Sequence, residues 1–232
     1  MSRSSLSNPL ALAVLATLSE EPMHPYRITQ VLRERGKEHS IRLNWGSLYS
    51  VIASLEKNGL IEATHSERAG SRPERTVYAV TDAGREAALS WLRRIIEVPA
   101  KEYPDFEAGL SLIMLLGPDE AAALLTRRLE GLDARIADAR AAQDLPLPEI
   151  FLVEARFELA MLEAERAFVA DLVARLATGR VDGQDLWAEM HRRLAQGDSI
   201  AQLVAEFDDH LWKEGTGARP GPSGPTPPTT ES

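Results

Sequence analysis

The chain has 232 residues and no cysteine, and it holds 26 lysines and arginines against 35 aspartates and glutamates, a formal net charge of −9. That length accommodates two modest cores of about 100 to 150 residues each. The missing cysteines exclude disulfides, zinc–thiolate sites and cysteine nucleophiles, and no apolar run reaches the roughly 20 residues of a bilayer-spanning helix.

Residues 1–18 lack the small-residue cleavage pattern of a secretory signal, so a soluble, cytoplasmic protein without membrane partners is expected. The charge is unevenly spread: residues 1–98 carry 13 basic and 11 acidic side chains, leaving 13 and 24 for the rest. A slightly basic front therefore precedes an acidic back, which is compatible with a polyanionic partner at one end only.

In chain order, Asn8-Pro9 reads as a helix start, a polar cap with proline at the first helical position, followed by Leu10, Leu12, Val14, Leu15 and Leu18. Glu21-Pro22 ends that helix. His24-Pro25 opens a second, whose apolar stripe is Tyr26, Ile28, Val31 and Leu32 and whose stop is Gly36. A third is predicted from about Trp45 to Asn58, with Leu48, Val51, Ile52 and Leu55 on one face and Asn58-Gly59 as the left-handed stop.

The period then changes to that of strands. Residues 60–66 and Thr76 to Val80 are predicted to pair as a hairpin, and the tip between them carries Arg68 and Arg72, with Arg75 close by. Thr81 caps a long helix running through Leu89, Trp91, Leu92 and Ile95 to about Val98.

Residues 99–213 are almost entirely helical by pattern. A short apolar helix over Asp105 to Leu116 ends at Gly117-Pro118, and the next carries Leu125, Leu129, Leu132, Ile136 and Ala139, a spacing that suits lengthwise packing on a neighbour. A further helix after Leu147-Pro148 shows Val153, Phe157, Met161, Phe168 and Leu172. Two shorter amphipathic patterns follow, Leu186, Trp187, Met190 and Leu194, then Ile200, Leu203, Val204, Phe207 and Leu211. The proline-, glycine-, threonine- and serine-rich end has no apolar period and reads as a disordered tail. The expected division is 1–98, 99–213 and a tail over 214–232.

Helix, helix, short connection, helix and a hairpin with a basic tip is the order of a winged helix-turn-helix. The third helix would be the reader: burying Leu48, Val51, Ile52 and Leu55 leaves Tyr49, Ser50, Ala53, Ser54 and Lys57 outward or at the flanks. Small polar side chains there admit the helix to a major groove about 12 Å wide. Lys57, Arg68, Arg72 and Arg75 are placed to meet phosphates.

The sequence resembles the PadR family of bacterial transcriptional regulators. Trp45-Gly46-Ser47-Leu48-Tyr49 is similar to that family's start of the recognition helix. Leu55-Glu56-Lys57-Asn58-Gly59-Leu60-Ile61 is similar to its exit, and Tyr78-Ala79-Val80-Thr81-Asp82-Ala83-Gly84-Arg85 to its entry into the fourth helix. Two departures stand out: Ser50 occupies the place of a usual proline, and Pro25 that of a common glycine.

The resemblance implies a mainly α protein with a small β-hairpin wing, an N-terminal winged helix-turn-helix and a C-terminal all-helical dimerisation domain. It also implies a homodimer on an inverted repeat of double-stranded DNA, acting as a repressor released by a small-molecule effector. The DNA-binding residues expected are Tyr49, Ser50, Ser54, Lys57, Arg68, Arg72 and Arg75.

Blander readings stand beside these. Tyr49 either meets a phosphate or packs at the rim of the core, and an exposed serine is usually inert. Trp45 and Trp91 serve core packing more readily than an effector pocket. Histidines 24, 39, 65, 191 and 210 form no i, i+4 pair, so no metal or cofactor is expected. The carboxylates of the later helices alternate with arginines as in paired or solvated faces. No phosphate-cradling loop or nucleophile elbow is present, so no catalytic residue is assigned and no enzyme is expected. The competing reading, motivated by the acidic charge, is a winged-helix adaptor that holds a protein partner with the same hairpin and helix.

Overall fold

The computed structural model describes residues 8–38, 40–41, 45–67, 75–143, 146–203 and 205–206. They form two compact units divided between Glu102 and Tyr103. The fold is mainly helical with a single two-stranded sheet among the described residues.

The first unit is built around α1 (Pro9–Leu18), which buries nearly its whole circumference, as a central helix must. The Asn8 side chain accepts from the Leu10 amide at 3.0 Å, so the expected cap is formed. α2 (Pro25–Glu34) starts in the same way: Nδ1 of His24 accepts the Arg27 amide at 3.0 Å, and Pro25 fills the first helical position. Its buried residues are Ile28, Thr29, Val31 and Leu32. Tyr26, placed on the apolar stripe by the sequence pattern, is 46% exposed instead. A phenol tolerates that position because its hydroxyl prefers water.

α3 (Trp45–Lys57) buries Leu48, Val51, Ile52 and Leu55 against α1 and α2. It ends in a Schellman turn in which the Gly59 amide bonds the Glu56 carbonyl and the Leu60 amide bonds that of Leu55, both at 2.9 Å. Gly59 takes φ of 68°, the left-handed geometry that the turn demands.

β1 (Ile61–Glu67) and β2 (Arg75–Val80) pair antiparallel, with an irregularity between Ala63 and His65. A feature the sequence pattern did not reveal is that Met23, between α1 and α2, bridges Tyr78 through two backbone hydrogen bonds of 3.0 Å. A single bridging residue has no alternation to detect, yet it ties the hairpin to the start of α2.

α4 (Asp82–Glu97) buries only Gly84, Ala88 and Trp91. Trp91 is 6% exposed within the core, the packing role preferred for it, whereas Leu89, Leu92 and Ile95, read as part of the helix's apolar pattern, lie exposed. Trp91 fills the contact, and the remaining apolar positions are rotated away from it.

The second unit contains α5 (Asp105–Ser111), α6 (Pro118–Gln143), α7 (Val153–Ala177) and α8 (Gln184–Ala195). The expected single helix over 105–116 is two pieces, because backbone at Leu112 leaves the helical region and a 3-10 turn follows over Ile113–Leu115. α8 satisfies the carbonyls so released. Trp187 Nε1 donates to the Leu116 oxygen at 2.8 Å, and Nε2 of His191 lies 2.9 Å from the Met114 oxygen. A carbonyl only accepts, so that ring nitrogen carries its hydrogen.

α6 and α7 form an antiparallel hairpin cored by Leu125, Leu132, Ile136, Leu162, Val169 and Leu176. It is laced by Arg128–Glu165, Arg135–Glu158, Arg140–Glu163 and Arg166–Asp133 pairs. Asp133, Glu158, Glu163 and Glu165 are thus paired across the two helices, one form of the paired or solvated faces expected from their spacing among arginines. Such exposed pairs contribute at most about 1 kcal/mol each and chiefly fix register. A further 3-10 turn over Glu149–Phe151 precedes α7. Trp187, Met190 and Leu203 join this core, so the segments after Val181 contribute to the second unit's own packing. The pattern ending at Phe207 and Leu211 runs out of the described residues, and the tail over 214–232 lies outside them.

Candidate nucleic-acid interface

The outward face of α3 is set by the residues it buries. With Leu48, Val51, Ile52 and Leu55 held in the core, the exposed positions are Gly46, Tyr49, Ser50, Ala53, Glu56 and Lys57. Tyr49, Ala53 and Lys57 recur every fourth residue and share one line along the helix. At 1.5 Å per residue the line from Tyr49 to Lys57 is about 12 Å long, close to the width of a major groove.

Tyr49 is 56% exposed, which excludes a buried position for its ring. The Ser50 hydroxyl donates to the Ser47 carbonyl at 2.9 Å, so its proton is engaged within the helix and its lone pairs face outward. Ser54 is half-buried at the flank, and its carbonyl accepts from the Asn58 side-chain amide at 2.6 Å.

The wing is represented by its two strands. Arg75, at the start of β2, is half-buried, and its guanidinium carbon lies 5.8 Å from the centre of the Tyr26 ring on α2. This cation–π contact explains why Tyr26 stays at the surface, and sequence spacing could not reveal it because the partners are distant in the chain. Arg68 and Arg72, and the side chain of Trp45, lie outside the described residues.

One contact joins the motifs singled out in the sequence. The Thr81 hydroxyl accepts from the Gly84 amide at 3.0 Å, capping α4, and donates to the Gly59 carbonyl at 2.7 Å. The Thr81 amide also donates to the Leu60 carbonyl at 3.1 Å. A β-carbon on Gly84 would meet that same Leu60 oxygen at 2.0 Å, so only glycine lets α4 approach the exit of α3. The threonine and two glycines therefore fix the end of the outward-facing helix against α4. Tyr78, beside them, has its phenol ionisation pushed up, first by burial and then by the nearby Glu56 carboxylate.

No group of three or more metal-ligating side chains occurs among the described residues, and no described helix is long and apolar enough to cross a membrane.

Three helices, a bridged strand residue and an antiparallel hairpin, with one helix face left small and polar, define a winged helix-turn-helix domain. Residues 14–89 match the family model described as "Transcriptional regulator PadR-like family". Over these residues the sequence is similar to the PadR-like family of transcriptional regulators.

Solved structures share the fold. Bacillus subtilis PadR in complex with operator DNA is 20% identical, with a TM-score of 0.56 over 73% of this chain and 99% of that one. The same regulator in complex with p-coumaric acid is 19% identical, with a TM-score of 0.57 over 72% of this chain and 98% of that one. The Vibrio cholerae virulence activator AphA is 18% identical, with a TM-score of 0.53 over 73% of this chain and 98% of that one. No curated protein matches the sequence.

Proposed function

We propose that this chain is a sequence-specific, effector-responsive repressor that binds an inverted repeat of double-stranded DNA as a homodimer. The observation that carries the reading is the exposed line of Tyr49, Ala53 and Lys57 on a helix whose other face is locked in the core. Such a helix enters the major groove, while Lys57 and the wing arginines Arg68, Arg72 and Arg75 neutralise phosphates. Tyr49, Ser50 and Ser54 supply the remaining contacts, Ser54 from the flank.

Dimerisation is assigned to the second unit. α7 presents a stripe of exposed apolar side chains, Val153, Phe157, Met161 and Phe168, turned away from its buried Leu162 and Val169. A solvated stripe of that size on one helix favours a partner helix of like kind. Two copies joined there would fix the separation of their recognition helices, so half-sites would lie about 34 Å, or a multiple, apart. An effector acts by preferring one dimer arrangement over another; the structural relative in complex with p-coumaric acid motivates a small organic ligand. Repression and cytoplasmic location are inferred from the family resemblance.

The test is a selection: the full-length protein is titrated with a random duplex library at two salt concentrations and the bound sequences are read. An inverted repeat of fixed spacing is the expected product. Weak, salt-sensitive binding with no enrichment would overturn the reading in favour of an adaptor that holds a protein partner.

A further inference from the structure

Resting on the DNA-binding reading above, the side chains on α3 say how the middle of a half-site is read. Bidentate discrimination between base pairs uses long polar side chains, arginine, lysine, asparagine, glutamine or an acid, aimed at the groove floor. Between Tyr49 and Lys57, Ala53 lies on that line, flanked at about 60° on one side by Ser50, whose proton is held by the Ser47 carbonyl, and on the other by Glu56. Ala53 lies about 6 Å along the axis from each end of the line, at its midpoint.

With that line set across a major groove about 12 Å wide, its two ends would meet the groove walls and its middle the base edges. Only a methyl group is presented there. Glu56, the nearest long side chain, is rotated about 60° from Ala53 around the helix.

We propose that each half-site is read at its centre through a thymine, whose C5 methyl group packs against the methyl group of Ala53. A thymine methyl is the one apolar feature of the major-groove edge, so an apolar reader distinguishes T·A from the other pairs. The short side chain also lets the helix backbone come close to the bases, which a longer residue would prevent.

The test starts from the duplex selected by the full-length protein. Each thymine of the half-site is replaced singly by uracil, which preserves pairing and removes the methyl group, and affinity is read by fluorescence anisotropy at one salt concentration. One thymine per half-site should be sensitive. Its replacement should weaken binding about fourfold, and replacement in both half-sites about fifteenfold, as loss of one buried methyl contact in each predicts. With a C·G pair at that position, 5-methylcytosine should bind better than cytosine. In Ala53→Gly, with folding checked by thermal unfolding, thymine and uracil should bind alike there.

A selected site at which every uracil costs less than about twofold, or whose centre is an invariant G·C pair, overturns this proposal and leaves the DNA-binding reading standing. Persistence of the thymine preference in folded Ala53→Gly does the same. A selection that enriches no sequence overturns both. The uracil scan uses the unaltered protein, so the outcome does not depend on the variant's stability.

Discussion

At the scale of single residues, the contact between Thr81, Gly84 and the Gly59-Leu60 turn decides how firmly the end of α3 is held. Replacing Gly84 with alanine drives a β-carbon into a backbone oxygen at 2.0 Å, which no side-chain rotation relieves. Gly84→Ala should therefore lose about 3 kcal/mol of stability in denaturant unfolding. Gly131, exposed in the middle of α6 with nothing within 4 Å of an added β-carbon, is the contrasting case. Gly131→Ala should gain about 0.5–1 kcal/mol, because it lowers the entropy of the unfolded chain without strain. Equal effects at the two positions would show that close approach, rather than helix propensity, had been overvalued.

At the scale of elements, α3 and the pair α1–α2 carry separate expectations. Lys57 is the one exposed cation described on α3. Lys57→Ala should weaken binding to all duplexes alike and lower the slope of log affinity against log salt by about 1, measured by anisotropy titration at several salt concentrations. A loss confined to one base position would instead make Lys57 a base reader.

The turn after α1 is joined to the end of α2 by Glu20 and Arg35, 2.7 Å apart at one oxygen. The hydrogen bond from Arg35 holds the Glu20 carboxyl below its ordinary value of 4.5. The folded state therefore binds that proton more weakly than the unfolded chain. Its stabilising contribution is complete above pH 4.5 and is lost as the pH falls below that value. The pair is exposed, so its whole effect stays below about 1 kcal/mol. Denaturant midpoints of the parent protein and Glu20→Gln should differ slightly at neutral pH and converge in acid. A gap that widened in acid would contradict the assignment.

At the scale of the whole molecule, the proposed dimer rests on an apolar stripe that the monomer leaves in water. Phe157 is 69% exposed and Phe168 52%. Carboxylates at both positions would repel across a symmetric interface while leaving the α6–α7 core untouched. Phe157→Glu with Phe168→Glu should give a monomer by light scattering with unchanged helical circular dichroism. Affinity for the full repeat should fall about a hundredfold or more as the linked second half-site is lost. A dimer surviving both changes would move the interface elsewhere.

Most of the architecture follows from local rules that a sequence exposes directly. Caps such as Asn8-Pro9, His24-Pro25 and Thr81, the Asn58-Gly59 stop and the buried face of α3 depend on residues within one or two turns, and all are formed as expected. The order of elements, and with it the winged helix-turn-helix, was legible for the same reason. What only tertiary structure decided are relations between residues far apart in the chain. Met23 bridges Tyr78, Arg75 stands over Tyr26, Gly84 meets Leu60, and α8 supplies donors to the carbonyls of residues 114 and 116. The division of α4 and α7 into covered and uncovered apolar faces is of this kind too. Periodicity tells that a helix has an apolar stripe, but only the neighbour's position tells which part of the stripe it covers.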